Sequence, residues 1–141
     1  MITTKTLHHV SLPVTDLDRS RQFYSEILGL QEIERPPFNF PGAWFQVGSG
    51  HIHLIVHNRS TLRDGKALDS RDIHFAIRVG SYHETRKFLH SKGYHPEAED
   101  PLMKLKESPH ATAGFPQLYI MDPDRNMIEL NAEHLDEEFP G

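Results

Sequence analysis

The chain has 141 residues, a formal net charge of −5, 37% hydrophobic residues and 9% aromatic residues. These values suit one domain of ordinary size or two very small halves packed together, and they exclude wholesale disorder and a nucleic-acid binder that depends on phosphate contacts. The absence of cysteine excludes disulfides, thiolate zinc sites and a cysteine nucleophile, so a metal site must use the eleven histidines together with carboxylates.

The first predicted element is a strand over residues 9–14, where apolar and other side chains alternate. An amphipathic helix follows, with Asp16 or Asp18 as its cap and Gly29 at its end. Residues 35–43 contain three prolines and predict a loop. Two strands over 44–47 and 51–56 then form a hairpin around Gly48-Ser49-Gly50.

The second half of the chain repeats this pattern. The strand that starts at His74 matches the one that starts at His9, at an offset of 65 residues. The next helix has Ser81 as its cap, Phe88 and Leu89 on its apolar face, and Gly93 at its end.

Residues 96–116, with four prolines, predict a long loop, and 118–121 with 127–131 predict a final hairpin. The repeat therefore predicts two copies of a strand–helix–strands module that meet near residues 58–72.

Strand parity selects four candidate metal ligands. In each strand the alternation of side chains places the apolar residues on one face and the remaining residues on the other. If the helices cover the apolar faces, four potential ligands project from the opposite face: His9, His53, His74 and Glu129. Imidazole and carboxylate suit a divalent ion such as Zn, Ni, Co, Mn or Fe, and open coordination positions make such a site catalytic.

Two motifs resemble those of a known superfamily. The segment 9–30, with Leu17-Asp18-Arg19-Ser20 and Phe23-Tyr24, is similar to the opening module of the vicinal oxygen chelate superfamily. This superfamily includes glyoxalases, bleomycin-resistance proteins and extradiol dioxygenases. The segment 121–130, Met-Asp-Pro-Asp-Arg-Asn-Met-Ile-Glu-Leu, is similar to its closing signature.

This resemblance implies an α+β fold: two tandem βαβββ modules that form an open, cup-shaped mixed β-sheet with the helices outside. We expect a single domain over 5–132, with module one over about 5–57, module two over about 72–132, and an acidic C-terminal extension over 133–141. The resemblance also implies one divalent metal ion and a homodimer, with His9, His74 and Glu129 at the ligand positions of the family.

The chain departs from the family pattern at two positions. His53 stands where glyoxalases and epimerases place a Glu or Gln ligand, so it is expected to act as a fourth ligand or as a base beside the metal. Arg125 stands where the final turn commonly has glycine, and we expect backbone strain there.

Other side chains predict the surroundings of the site. Arg78 is expected either to face the substrate and pair with an anionic group or to be a solvated charge on its strand. His8 and His51 are expected at strand edges or beside the ligands. Four further residues are expected to line the pocket: Trp44, Gln46, Phe115 and Tyr119.

Three functions are compatible with these residues. The first is a glyoxalase-type enzyme with lyase, isomerase or thiol-transfer chemistry, in which Glu129 or His53 moves the proton. The second is an Fe(II) extradiol-type dioxygenase that uses His9, His74 and Glu129 alone. The third is a drug-binding or metabolite-binding resistance protein without catalysis; members of that kind generally lack the ligands found here.

The expected partner is a small-molecule substrate. No apolar run approaches the roughly 20 residues that span a bilayer, and no signal-peptide pattern opens the chain. We therefore expect a cytoplasmic protein that binds neither membranes nor nucleic acid.

Overall fold

The computed structural model describes residues 1–57 and 61–136. Part of the predicted junction between the modules (58–60) and part of the predicted acidic extension (137–141) lie outside the described residues. The chain divides into two compact units, Met1–Leu62 and Arg63–Gly141. Each unit contains a four-stranded mixed sheet and one α-helix, which follows the first strand of the unit.

The first unit has the element order that the repeat predicts, with one additional short strand. Strand β1 (His9–Val14) leads to helix α1 (Leu17–Gln22), which continues as a π-helical turn (Phe23–Ile27). Three strands follow, and their order in the sheet is β1-β4-β3-β2: β2 (Gln31–Ile33), β3 (Gly42–Val47) and β4 (Gly50–Val56). Strands β1 and β4 are parallel, and the other neighbours are antiparallel.

The second unit has the same topology. Strand β5 (His74–Arg78) leads to helix α2 (Tyr82–Ser91), a short 3-10 helix (Pro101–Met103) and the last three strands: β6 (Lys106–Ser108), β7 (Gln117–Met121) and β8 (Met127–Asn131). The sheet order is β5-β8-β7-β6, with β5 and β8 parallel. The duplicated βαβββ module is therefore confirmed.

Each helix covers the apolar face of its own sheet. Helix α1 packs against β3 and β4, and α2 packs against β7. The alternation of β1 places Leu12 and Val14 in the core while His9 and Ser11 remain exposed. Burying the apolar side chains drives this packing, and it leaves the other face of each sheet for polar residues.

The residues that cap the two helices are among those predicted from the sequence. Of the two predicted caps of α1, Asp16 is the one used, since its carboxylate accepts the backbone N–H of Arg19 at 3.1 Å. Ser81 caps α2 by accepting the N–H of Glu84. Gly29 and Gly93 follow the two helices with φ of +66° and +96°, a conformation that glycine adopts without strain.

Three predictions about local structure are wrong. Phe88 is 38% exposed, because α2 buries Tyr82 and Leu89, which lie seven residues apart and therefore share one side of the helix. The loop expected over 96–116 contains the 3-10 helix and β6, a three-residue strand too short to show alternation. Strand β3 starts at Gly42, inside the loop expected over 35–43.

Two further features complete the description of the backbone. Arg125 has φ of +67°, which confirms the strain expected at this turn. Within the described part of the chain, no helix is long and apolar enough to cross a membrane.

Candidate metal centre

The imidazole of His53 lies between two other rings in the first sheet. On one side is the indole of Trp44 on β3, parallel within 3° at a centroid distance of 3.9 Å. On the other side is the imidazole of His9 on β1, at 4.1 Å and 17°. His53 belongs to β4, which runs between these two strands, and it is 7% exposed. The sheet order therefore brings two of the predicted ligands, His9 and His53, into contact.

Two further histidines contact this pair. The Nδ1 atoms of His8 and His9 lie 2.8 Å apart, so one ring donates its N–H to the other. His51 Nδ1 lies 3.4 Å from His53 Nε2. If His9 donates its Nδ1–H to His8, its Nε2 keeps a lone pair that can bind a metal. His8 therefore acts on His9 directly, which agrees with its expected place beside a ligand.

Crowding keeps His53 neutral. Its pKa is lowered from 6.5 to about 4, first by burial and then by electrostatic interaction with the basic side chains of His9, His51, His8 and Arg35, in that order. At neutral pH the ring therefore presents a lone pair, as both a metal ligand and a general base require.

The second sheet brings together the other two predicted ligands. His74 starts β5, and Glu129 lies on the adjacent parallel strand β8. His74 Nε2 lies 3.3 Å from Glu129 Oε1. His74 Nδ1 lies 2.8 Å from the backbone carbonyl oxygen of Asp72, so the Nδ1–H donates to that oxygen and Nε2 is the ring nitrogen that faces Glu129.

Glu129 is held at both oxygens. The hydroxyl of Tyr119 donates to Oε1 at 2.9 Å, and the side-chain amide of Asn131 donates to Oε2 at 2.6 Å. Glu129 as a whole residue is 5% exposed. Burial, followed by the bond to Glu129, raises the pKa of Tyr119 to about 12, so its hydroxyl remains a donor. These bonds fix the orientation in which the carboxylate of Glu129 would bind a metal ion.

The geometry of the second pair fits a divalent ion. Two donors bound to one ion at 2.0–2.2 Å lie roughly 2.8–3.6 Å apart for bond angles between octahedral and tetrahedral, a range that includes the distance between His74 and Glu129. A ligating histidine normally donates its other N–H to a carbonyl or carboxylate, as His74 does. Over residues 1–57 and 61–136, no three His, Asp or Glu side chains form a cluster that could hold a metal ion. Each unit contributes its own pair, and a site with four ligands stays a prediction.

The predicted pocket residues have different surroundings. The side-chain amide of Gln46 closes the β3–β4 turn by donating to the carbonyl of Gly48 at 2.6 Å. The guanidinium of Arg78, an exposed residue, lies 5.2 Å from the ring of Phe115. Trp44 and Tyr119 each contact a predicted ligand. Gln46 therefore has a local structural role, whereas Trp44 and Tyr119 position His53 and Glu129.

Sequence reasoning did not find the partners that hold the second pair. Asp72 holds His74 through its backbone carbonyl, and every residue type has that group, so no sequence pattern indicates the contact. Asn131 has the same parity as Glu129, two residues away, so a search for amides beside a candidate ligand would have found it.

The sequence of the chain matches a family model and a curated protein. The family model described as "Glyoxalase/Bleomycin resistance protein/Dioxygenase superfamily" matches residues 6–130. The protein "Glyoxylase I 4" from Arabidopsis thaliana is 34% identical over 128 residues, which cover 89% of this chain and 69% of that protein.

Solved structures have the same fold. A glyoxalase family protein from Bacillus anthracis has a TM-score of 0.71 at 23% identity, covering 94% of this chain and 98% of that chain. A lactoylglutathione lyase from Agrobacterium tumefaciens has a TM-score of 0.65 at 18% identity, covering 92% and 94%. A variant of the fosfomycin resistance protein FosX from Listeria monocytogenes, solved with Mn(II) and a dihydroxypropylphosphonic acid, has a TM-score of 0.67 at 18% identity, covering 95% of each chain. At these identities the likeness shows the fold alone.

Proposed function

Because the chain belongs to the glyoxalase/bleomycin resistance protein/dioxygenase superfamily, we propose that it is a divalent-metal-dependent enzyme of the glyoxalase type. Its chemistry is that of a lyase, an isomerase or a thiol transferase, acting on a small substrate that binds the metal through oxygen. The proposed ligands are His9, His53, His74 and Glu129, two from each sheet. A homodimer and a cytoplasmic location remain part of this proposal.

The observation that supports the proposal best is the pair formed by His74 and Glu129. Their donor atoms lie 3.3 Å apart, and the far side of each residue is held by another hydrogen bond. Glu129 accepts hydrogen bonds from Tyr119 and Asn131, and His74 Nδ1 bonds the carbonyl of Asp72, which leaves His74 Nε2 facing Glu129 Oε1. Such orientation before binding is typical of ligands for a metal such as Zn, Ni, Co, Mn or Fe.

When bound, a divalent cation supplies a Lewis acid that stabilises negative charge developing on a substrate oxygen. The residues of the chain supply the proton transfer. Glu129 can accept a proton at an oxygen whose orientation Tyr119 and Asn131 fix. His53 is the alternative base, since its lowered pKa keeps it neutral, and Trp44 holds its ring in place.

The similar proteins agree with this chemistry. The curated relative is named a glyoxylase I, and one structural neighbour is a lactoylglutathione lyase. Another neighbour was solved with Mn(II). These names support a metal-dependent lyase as the first activity to assay.

Metal binding tests the proposal. Mn(II), Ni(II) and Zn(II) are titrated into the metal-free full chain by calorimetry, and we expect saturable binding that His74→Ala and Glu129→Gln each abolish. His134→Ala is the matched control, because His134 is an exposed histidine of the same unit. Absence of saturable binding in the folded protein contradicts the proposal. Oxygen uptake with catechols by the Fe(II)-loaded protein would assign the chain to the dioxygenases instead.

A further inference from the structure

A shallow cavity of about 470 Å³ opens along β6 in the second unit. Its lining includes an ammonium, two hydroxyls, an amide and an imidazole, which belong to Lys106, Ser108, Thr112, Gln117 and His110. No Asp or Glu contributes to this lining. In a chain with a net charge of −5, a cavity lined by cationic and neutral donors and free of carboxylates favours an anionic ligand.

The ammonium of Lys106 has only neutral partners among the described residues. It donates to the hydroxyl of Ser70 at 2.7 Å and lies 5.7 Å from the centre of the Tyr119 ring. By contrast, Arg63 of the same unit pairs with Asp72, and Arg86 pairs with Glu107. The charge of Lys106 is therefore available to a ligand in the cavity.

Strand register places this charge on the same face as the candidate metal ligands. Lys106 lies directly opposite Tyr119, and Tyr119 lies directly opposite Glu129 on the next strand. Residues directly opposite each other share one face of a sheet, and neighbouring strands lie about 4.8 Å apart. Lys106 and Glu129 thus lie two strands apart, about 10 Å along this face.

A second row of polar residues runs beside the first. Ser108 lies opposite Gln117, and Gln117 lies opposite Asn131. The side-chain oxygen Oδ1 of Asn131 is buried and has no hydrogen-bond partner among the described residues. An unpaired buried acceptor is costly, and a hydroxyl or amine of a bound molecule would satisfy it. This second row therefore joins the cavity to the surroundings of Glu129.

We propose that the cavity binds the anionic end of the substrate, a phosphate-type or carboxylate group held by Lys106 and by hydroxyl and amide donors of Ser108 and Gln117. The substrate is then a small elongated anion whose reacting oxygens lie at Glu129, about 10 Å from its charged end. Binding of an anion in the cavity is independent of the proposed function. The inference that this anion and the reacting oxygens belong to one substrate rests on the proposed function.

The test uses the full chain without metal, titrated with inorganic phosphate or with acetate and followed by amide chemical shifts. We expect saturable shifts over residues 106–117. Lys106→Met is expected to weaken the binding about tenfold, whereas Lys106→Arg keeps it, since both basic side chains bind oxyanions. Lys92→Met is the matched control, because it removes the same charge from the C-cap of α2, the helix that covers the other face of the sheet. A stronger response to phosphate identifies a tetrahedral anion, and a stronger response to acetate identifies a carboxylate.

Absence of saturable shifts with either anion overturns the inference, and so does equal binding by wild type and Lys106→Met. His74→Ala separates this inference from the proposed function. That variant is expected to lose metal binding and to keep phosphate binding. If wild type binds phosphate in this cavity but binds no metal, the proposed function fails and the anion site stands.

Discussion

The indole of Trp44 and the imidazole of His53 lie directly opposite each other on β3 and β4, parallel within 3° and 3.9 Å apart. The other face of the imidazole lies against His9. Since both faces of His53 are covered, rotation of its ring is restricted, and its nitrogens point in fixed directions.

This stacking is expected to stabilise the protein. In a double-mutant cycle of Trp44→Leu and His53→Gln, we expect a coupling free energy of about 0.5–1.5 kcal/mol, the range measured for aromatic pairs. Urea denaturation of the four proteins at pH 7 measures it. A coupling free energy near zero would show that the stacking of the two rings does not stabilise the protein.

His53 is expected to bind the metal, and Trp44 is expected to report it. Trp44 is the sole tryptophan of the chain, so changes in tryptophan emission during a Ni(II) titration come from the ring that contacts His53. We expect His53→Ala to weaken Ni(II) binding by about tenfold or more. His134→Ala serves as the control. Unchanged affinity in His53→Ala would show that His53 is not a metal ligand.

Tyr119 is expected to tune the affinity for metal through Glu129. Tyr119→Phe removes the hydrogen bond to Oε1, and loss of such a partner typically lowers metal affinity about 10-fold to 100-fold. Tyr82→Phe is a matched control, since the hydroxyl of Tyr82 is buried without a hydrogen-bond partner among the described residues. Calorimetric titration with Mn(II) compares the two. Equal affinities would mean that Glu129 needs no support from Tyr119.

Asp136 is expected to stabilise the start of α2 in a pH-dependent way. Its carboxylate accepts bonds from the Ser81 hydroxyl at 2.5 Å and from the N–H groups of Tyr82 and His83. The Ser81 bond is the main reason why the pKa of Asp136 lies below its usual value. The stabilisation is therefore present above the usual pKa of an aspartate and is lost as the pH falls below it.

The corresponding experiment compares unfolding of wild type and Asp136→Asn by urea. At pH 7 we expect the variant to be less stable by about 0.5–1 kcal/mol, and the difference to shrink as the pH falls below the usual pKa of an aspartate and through the lowered pKa of Asp136. Glu133→Gln, an exposed acidic residue close by, is expected to change little. A difference that persists at low pH would rule out the charge as its cause.

Arg125 is expected to reveal the strain of a positive φ. Arg125→Ala and Arg125→Gly both remove the hydrogen bond to the carbonyl of Lys66, but only glycine adopts φ of +67° without strain. We therefore expect the glycine variant to be more stable than the alanine variant by about 1 kcal/mol. Thermal unfolding of the pair measures this difference, and equal stabilities would contradict it.

Much of the fold could be predicted because the same pattern of strand and helix signals occurs twice in the sequence. The alternation in β1 and β5, the caps Asp16 and Ser81 and the repeat itself are local patterns, and local patterns are visible in a sequence. Strand β6 could not be predicted in this way. It is short and lies at the edge of its sheet, so its pairing with β7 decides its conformation.

The sequence predicts which residues belong to the candidate site, but not which of their side chains contact each other. Parity shows which side chains share a face of one strand, but strand register decides which of them touch across strands. That is why Trp44 was expected as a pocket residue and is in fact stacked on His53. The contact between Asp136 and Ser81 depends on tertiary packing, and no local pattern indicates it.

The strand order of each module also has a kinetic consequence. In both sheets the first strand of the module pairs with the last one, so contact between His9 and His53, and between His74 and Glu129, requires closing a loop that contains the rest of the module. Such non-local pairing slows folding, because the entropy lost on loop closure opposes it. A metal that recognises either pair would select the completed module over its partly folded forms, and the rate at which metal affinity appears during refolding would mark the closing of each sheet.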